Sequence, residues 1–191
     1  VRHVVGTTTY DALHRRLQAE GRLGHVLELG CGTGLFTRVV APVADHVTAT
    51  DLAEPMLAVA RAELAGHANV TFDVVDAEST RLAPGRFDTV LIANVLPFVD
   101  ARRTLRECAR VLRPGGRLLV VDYTFRGLRP LTRARYGLRA LRAFGIPPRR
   151  RRDPSADEIR RLVTAAGLTV DAVDLVGRGV KAVYVRARKP A

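Results

Sequence analysis

A strand-like run that breaks into three glycines constrains this chain more than any other feature. Residues 26–34 read VLELGCGTG, with Gly30, Gly32 and Gly34 closing a short apolar stretch before an amphipathic one begins. Glycine adopts backbone angles closed to other residues and lets a ligand approach the main chain. A helix starting there turns unpaired N–H groups toward a polar or anionic ligand. Strand, glycine turn and helix together are the unit of open α/β sheets, whose ligands sit beyond the carboxyl ends of the strands. Taken alone, the turn is equally readable as one that only packs.

The rest of the chain repeats the alternation. Apolar runs at 47–51, 70–74, 87–93 and 117–122 read as strands. Helical stretches are expected at 8–20, at 35–41 ended by Pro42, and from Pro55 to about Leu64. Asp100 is placed to cap a helix with Leu105, Cys108, Ala109 and Leu112 on one face, stopped by Pro114-Gly115-Gly116. Ser155 to Glu158 has capping-box spacing ahead of Ile159, Leu162, Val163 and Ala166, with Gly167 as terminator. Strands at 168–176 and 181–188 are joined by so short a turn that they must pair antiparallel. The expectation is a doubly wound, mostly parallel α/β sheet with helices on both faces and one reversed strand near an edge. One domain over residues 1–191 is expected, with a leading helix within 1–23.

Composition narrows the class. The 191 residues are 47% hydrophobic and 26% charged, which excludes a disordered chain, and no apolar run reaches the roughly 20 residues of a membrane-spanning helix. Two cysteines, Cys31 and Cys108, are too few for a disulfide framework or a zinc site, so no metal is expected and a cytoplasmic setting is the default. No signal peptide is visible, and the start at Val1 leaves room for a trimmed N-terminus. The net charge of +12 is local: residues 1–125 balance, and residues 126–152 hold ten arginines and no acid.

Two acids follow the glycine turn at successive strand ends. Asp51 closes the second strand, where a carboxylate accepts both hydroxyls of a ribose. Asp76 follows the third, within reach of an adenine amino group. Each alone is also readable as a solvated loop residue. The glycine spacing is G-x-G-x-G, not the G-x-G-x-x-G of dinucleotide folds, and Glu28 stands where it would repel a pyrophosphate. It suits a ligand with a positive amino group, and S-adenosylmethionine combines a ribose, an adenine, a sulfonium and an α-ammonium.

On these residues the chain resembles the class I S-adenosylmethionine-dependent methyltransferases, most closely the small-molecule group that includes quinone-biosynthesis enzymes. VLELGCGTG looks like that family's first motif, TATDLAEPML its second, DVVDAEST its adenine-side motif, FDTVLIANVLPFVD its fourth-strand motif and RVLRPGGRLLVVDY its fifth. The likeness spans residues 24–123 and continues more weakly through PSADEIRRLVTAAGLTV. It implies a seven-stranded sheet of order 3-2-1-4-5-7-6 with strand 7 reversed. It also implies S-adenosylmethionine as cofactor and S-adenosylhomocysteine as product. By resemblance Gly30, Cys31, Gly32 and Gly34 lie against the methionine part and Glu28 near its polar end. Asp51 takes the ribose, with Leu52 and Met56 in the same motif. Asp76, Ala77 and Glu78 flank the adenine, and Asn94 and Val95 lie beside the reactive methyl.

The family's frequent histidine pair after the fourth strand is absent here, as is the N-P-P-Y pattern of amino-group methylation. No general base carries over, and the catalytic residues stay unassigned. Asp122, Tyr123, His14 and Tyr10 are candidates, each also readable as structural: Tyr123 as pocket wall, His14 as an exposed helix residue. Transfer from a sulfonium needs mainly an acceptor held in line, and a base only for a hydroxyl or an acidic carbon. Residues 126–152 would form a basic insertion or lid after the fifth strand. Leu131, Ala134, Leu138 and Leu141 share a helical face, with Arg133, Arg135, Arg139 and Arg142 largely off it and Arg149 to Arg152 following as a block. A solvated helix, peripheral contact with an anionic membrane, and a grip on phosphates are the three readings. With 5% aromatics and no tryptophan, nucleic acid ranks below a small organic or lipid-like acceptor. An RNA methyltransferase and a non-catalytic cofactor-binding module are the alternatives.

Overall fold

The computed structural model describes residues 7–128, 134, 138, 153 and 155–191. In chain order the elements are α1 (Thr7–Gln18), β1 (His25–Leu29), α2 (Thr37–Val40), β2 (His46–Asp51), α3 (Glu54–Glu63), β3 (Val70–Val74), β4 (Phe87–Ala93), α4 (Ala101–Val111), β5 (Leu112–Thr124), α5 (Ala156–Ala165), β6 (Thr169–Val176) and β7 (Lys181–Arg188). Short 3-10 turns occupy Ala41–Val43 and Leu96–Phe98. The strands form one sheet of order β3-β2-β1-β4-β5-β7-β6, the order that the resemblance implied. β1 to β5 pair parallel, and β7 runs antiparallel to both β5 and β6.

Alternation along the central strands sends side chains into two cores. Val26, Leu91, Leu119, Val121 and Tyr184 join Leu13 and Leu17 of α1, Val39 and Val40 of α2 and Leu57 of α3 on one face. Leu27, Val90, Ile92, Leu118 and Val120 join Leu105, Cys108 and Val111 of α4 and Ile159 and Val163 of α5 on the other. Both faces of the central strands are covered, so β1 and β4 are largely apolar, with Glu28 and Thr89 as their buried polar residues.

The caps expected from sequence form. Asp100 Oδ1 accepts from the Arg102 and Arg103 amides, and Ser155 Oγ accepts from the Glu158 amide. Two expectations are corrected. The helix expected at 35–41 is α-helical only over Thr37–Val40, because Pro42 diverts the chain into a 3-10 turn. Pro114-Gly115-Gly116 ends α4 but does not delay the fifth strand to residue 117, since β5 starts at Leu112. The Gly115 amide donates to the Lys189 carbonyl and the Lys189 amide to the Gly116 carbonyl, so pairing with the chain beyond β7 holds this stretch at the sheet, with Gly115 at a positive φ of 73°. Of the basic segment, Ala134 and Leu138 are described as helical and exposed. The remaining positions singled out there, 131, 133, 135, 139, 141, 142 and 149–152, lie outside the described residues. Arg126 Nε donates to the Asp153 carbonyl at 2.9 Å and so ties the two ends of that segment together.

Below the sheet, the side chain of Glu20 is 1% exposed and ion-paired to Arg16, Arg117 and Arg186. The Tyr184 hydroxyl donates to it at 2.9 Å. This carboxylate joins the end of α1 to β5 and β7. Removing it leaves Arg117 without an acid partner and the Tyr184 hydroxyl without its acceptor, while Arg16 and Arg186 keep Asp174 and Asp171; losing hydrogen bonds to a charged group costs about 1.5–3 kcal/mol. Glu20→Ala is therefore expected to lower stability by about that amount in urea unfolding at pH 7, with the slope unchanged.

Candidate cofactor cleft

The glycine turn leaves β1 at the point where the chain order reverses. β2 lies on one side of β1 and β4 on the other, and their connecting helices pack on opposite faces, which opens a crevice above β1. Gly30, Gly32 and Gly34 all have positive φ, at 72°, 56° and 80°. A Cβ on Gly30 would stand 2.5 Å from Val95 Cγ2 and one on Gly34 2.6 Å from Leu64 Cδ1, so close packing excludes side chains there. Gly32 differs: nothing lies within 4 Å of the position its Cβ would take. The turn's apex therefore presents bare backbone to open space.

Asp51 fastens that apex. Its Oδ2 accepts from the Gly32 amide at 2.8 Å and its Oδ1 from the Ala53 amide at 2.9 Å. The Cys31 amide donates to the Thr50 carbonyl, and Thr50 Oγ1 to the Glu28 carbonyl. Beyond Asp51, Leu52 is 69% exposed and Met56 47%, two apolar side chains facing solvent at the rim.

Glu28 lies beneath the turn, buried, with Thr37 Oγ1 donating to its Oε2 at 2.5 Å. Burial pushes its carboxyl up to about 7; the Thr37 hydrogen bond opposes this and the nearby Asp51 charge adds to it. Burial also raises the Cys31 thiol, helped by the Glu28 and Asp51 charges, which keeps it un-ionised and unreactive.

The adenine-side candidates sit on the loop after β3. Asp76 Oδ1 accepts from the Glu78 amide, and Glu78 Oε1 from the Asp100 amide at the start of α4. A latch from α4 holds this loop. Glu107 Oε2 accepts from both the amide and the hydroxyl of Thr80, while Arg110 binds the same carboxylate and the Leu82 carbonyl. Arg110 above all, with Thr80, holds the Glu107 carboxyl down at about 2, against its own partial burial. Sequence reading missed Thr37, Thr80, Glu107 and Arg110. The i, i+3 spacing of Glu107 and Arg110 was the one visible signal. Beside Glu78, a cleft of about 850 Å³ opens between Phe98–Arg103 and α5, its three acids balanced by three arginines.

At the end of β4, Asn94 takes a positive φ of 58°, uncommon outside glycine. Its amide donates to the Val121 carbonyl and its Oδ1 accepts from the Tyr123 amide at 3.1 Å. Of the four catalytic candidates, Tyr10, His14 and Tyr123 gather on the α1 face. The Tyr10 ring centroid lies 6.2 Å from that of His14, and Tyr10 and Tyr123 share one core cluster. Asp122, one residue out of phase, is buried toward the opposite face.

A family model described as a methyltransferase domain matches residues 27–120, from β1 into β5. A demethylmenaquinone methyltransferase of Clavibacter sepedonicus is 37% identical over 114 residues, 59% of this chain and 46% of that protein. A ubiquinone biosynthesis O-methyltransferase of Xanthomonas euvesicatoria is 35% identical over 121 residues, 62% of this chain and 50% of that one. These matches support a class I S-adenosylmethionine-dependent methyltransferase domain. It spans about half the length of the curated relatives it matches. The fold is shared more widely. An S-adenosylmethionine-dependent methyltransferase of Mesorhizobium loti superposes with a TM-score of 0.70 at 22% identity, covering 94% of this chain and all of that one. The [4+2]-cyclase SpnF superposes at 0.74 and 21% identity, covering 95% of this chain and 81% of SpnF, so the fold alone does not fix the reaction.

Glu28 generates a pH-dependent stability. A carboxyl whose pKa is raised on folding favours the native state below its unfolded value, near 4.5. That stability is lost as pH rises through about 7. Between pH 4.5 and pH 8 the wild type should lose roughly 3 kcal/mol relative to Glu28→Gln, read by urea unfolding of both proteins at each pH.

Proposed function

We propose that this methyltransferase transfers a methyl group from S-adenosylmethionine to a small organic or lipid-like acceptor of the quinol class. The observation that carries the cofactor half is the Asp51 clasp, which brings Glu28, the open face of Gly32 and the Asp51 carboxylate to one crevice. The residues present fit the group. Each Asp51 oxygen accepts one backbone N–H and keeps lone pairs for the two ribose hydroxyls. Bare backbone at Gly32 receives the methionine moiety, with Gly30, Cys31 and Gly34 shaping the turn. The ionised form of Glu28 pairs with the α-ammonium. Leu52 and Met56 offer apolar cover to the adenine, and Asp76, Ala77 and Glu78 meet its edge. Asn94 and Val95 stand beside the methyl. When bound, the cofactor supplies a methyl on an activated sulfonium. The chain's own task is to exclude water and hold the acceptor in line at roughly 3–3.5 Å.

The acceptor half is supported by the names of the relatives, which concern demethylmenaquinone and ubiquinone biosynthesis. Among the described residues no helix is long and apolar enough to cross a membrane. The ten arginines of residues 126–152 support peripheral contact with an anionic surface, at about 1 kcal/mol per basic residue near it. In flotation assays the protein should follow vesicles containing anionic lipid at low salt and leave them at high salt. Absence from the vesicle fraction at low salt would refute membrane contact.

Calorimetry with S-adenosylhomocysteine tests the cofactor assignment. The wild type should bind, and Asp51→Ala should weaken binding at least about tenfold through loss of charge-assisted hydrogen bonds. A folded wild type that does not bind rejects the function proposed.

A further inference from the structure

The Tyr123 hydroxyl is enclosed and has no hydrogen-bond partner among the described residues, although the residue as a whole is 7% exposed. A buried polar group left unpaired costs about 1–3 kcal/mol, so natural cores rarely keep one without a use. A phenylalanine would fill the same space without that cost.

Its position gives the hydroxyl a use. The Tyr123 amide donates to Asn94 Oδ1, and Val95, next in the chain, packs over Gly30, so Tyr123 stands one residue contact from the glycine turn. Its ring belongs to the core cluster that holds Cys31 of that turn, Tyr10 and Phe36, with Phe125 packed against it. The chain has ten Phe and Tyr residues in all, and six of them belong to this cluster or pack against it. Tyr10 and Phe36 lie 6.2 Å apart between ring centroids, at a tilt of 49°. Aromatic walls around an unpaired hydroxyl suit a flat ring that carries a hydroxyl. The cover is α1, carried by the β6–β7 turn: the Thr9 hydroxyl reaches the Arg178 and Val180 carbonyls, and Gly177 leaves no room for a Cβ against it. Tyr10 follows Thr9 directly, so this anchor sets the position of Tyr10.

We infer that Tyr123 is the acceptor-binding residue of the methyl-transfer site, its hydroxyl hydrogen-bonding a ring hydroxyl of an aromatic acceptor stacked among Tyr10, Phe36 and Phe125. The inference rests on the function proposed above and adds to it the group that reads the acceptor. It requires a hydroxylated ring and discriminates against the same ring with its oxygens capped.

The test uses protein saturated with S-adenosylhomocysteine, titrated anaerobically with 1,4-naphthohydroquinone and with 1,4-dimethoxynaphthalene. Wild type should bind the hydroquinone at least about tenfold more tightly, and Tyr123→Phe should erase that preference while keeping S-adenosylhomocysteine affinity within about twofold. As a readout in the unmutated protein, 3-fluorotyrosine labelling gives four fluorine resonances, assigned by single replacement of each of the four tyrosines. The Tyr123 resonance should shift with the hydroquinone and not with the dimethoxy compound, and this readout decides if Tyr123→Phe fails to fold. A preference that survives in Tyr123→Phe, a Tyr123 resonance unmoved by the hydroquinone, or no hydroquinone binding overturns the inference while leaving the cofactor assignment intact. Failure of S-adenosylhomocysteine to bind wild type overturns both.

Discussion

The bond between the Gly32 amide and the Asp51 carboxylate is the constraint around which this molecule is organised. It joins the turn after β1 to the end of β2, and it sets a negative charge beside bare backbone. The second Asp51 oxygen starts the chain toward α3 through the Ala53 amide. One carboxylate thus closes the glycine turn, aims the next helix and keeps lone pairs toward the crevice. Because both its protein bonds are to backbone N–H groups, its placement does not depend on the rotamers of neighbouring side chains.

Around that bond the site is built from opposing demands. A buried carboxyl is costly, yet Glu28 lies under the turn with a single threonine hydroxyl on its Oε2, in a setting that favours its neutral form. A cationic group beside it would favour the charged form. The loop that carries Asp76 to Glu78 shows the reverse design. Its supporting carboxylate, Glu107, is saturated by Arg110 and Thr80 and has nothing left to offer a ligand. One acid is kept available and the other is consumed in holding a loop.

Much of this was legible in the residues. The sheet follows from alternating periodicities, and the short turn between the last two strands required the antiparallel pair. The turn at Gly30, Gly32 and Gly34 and the strand end at Asp51 were legible from the glycine spacing and from the apolar run before each. What could not be read was which glycine packs and which stays open, since that depends on Val95 and Leu64, far along the chain. Nor could the extension of β5 back to Leu112 be read: it rests on the pairing of Leu112 with Phe87 and of Gly115 and Gly116 with Lys189, contacts made only across the sheet. Thr80, Glu107 and Arg110 form a cluster only after α4 has packed; the i, i+3 spacing of the last two was visible, their meeting with Thr80 was not.

By itself the sequence determined the order of strands and helices, the faces they bury, and the chemistry of the crevice mouth, because these follow from local periodicity and from residue types near each strand end. Tertiary structure alone decided that Glu20 would be caged by three arginines, that α1 would be fastened to the β6–β7 turn by Thr9, and that Tyr123 would meet Tyr10 with its hydroxyl enclosed. Those contacts join the first helix to the last strands, across up to 171 residues. Their energies come from the desolvation of paired groups, and a group's burial exists only once distant segments have closed over it.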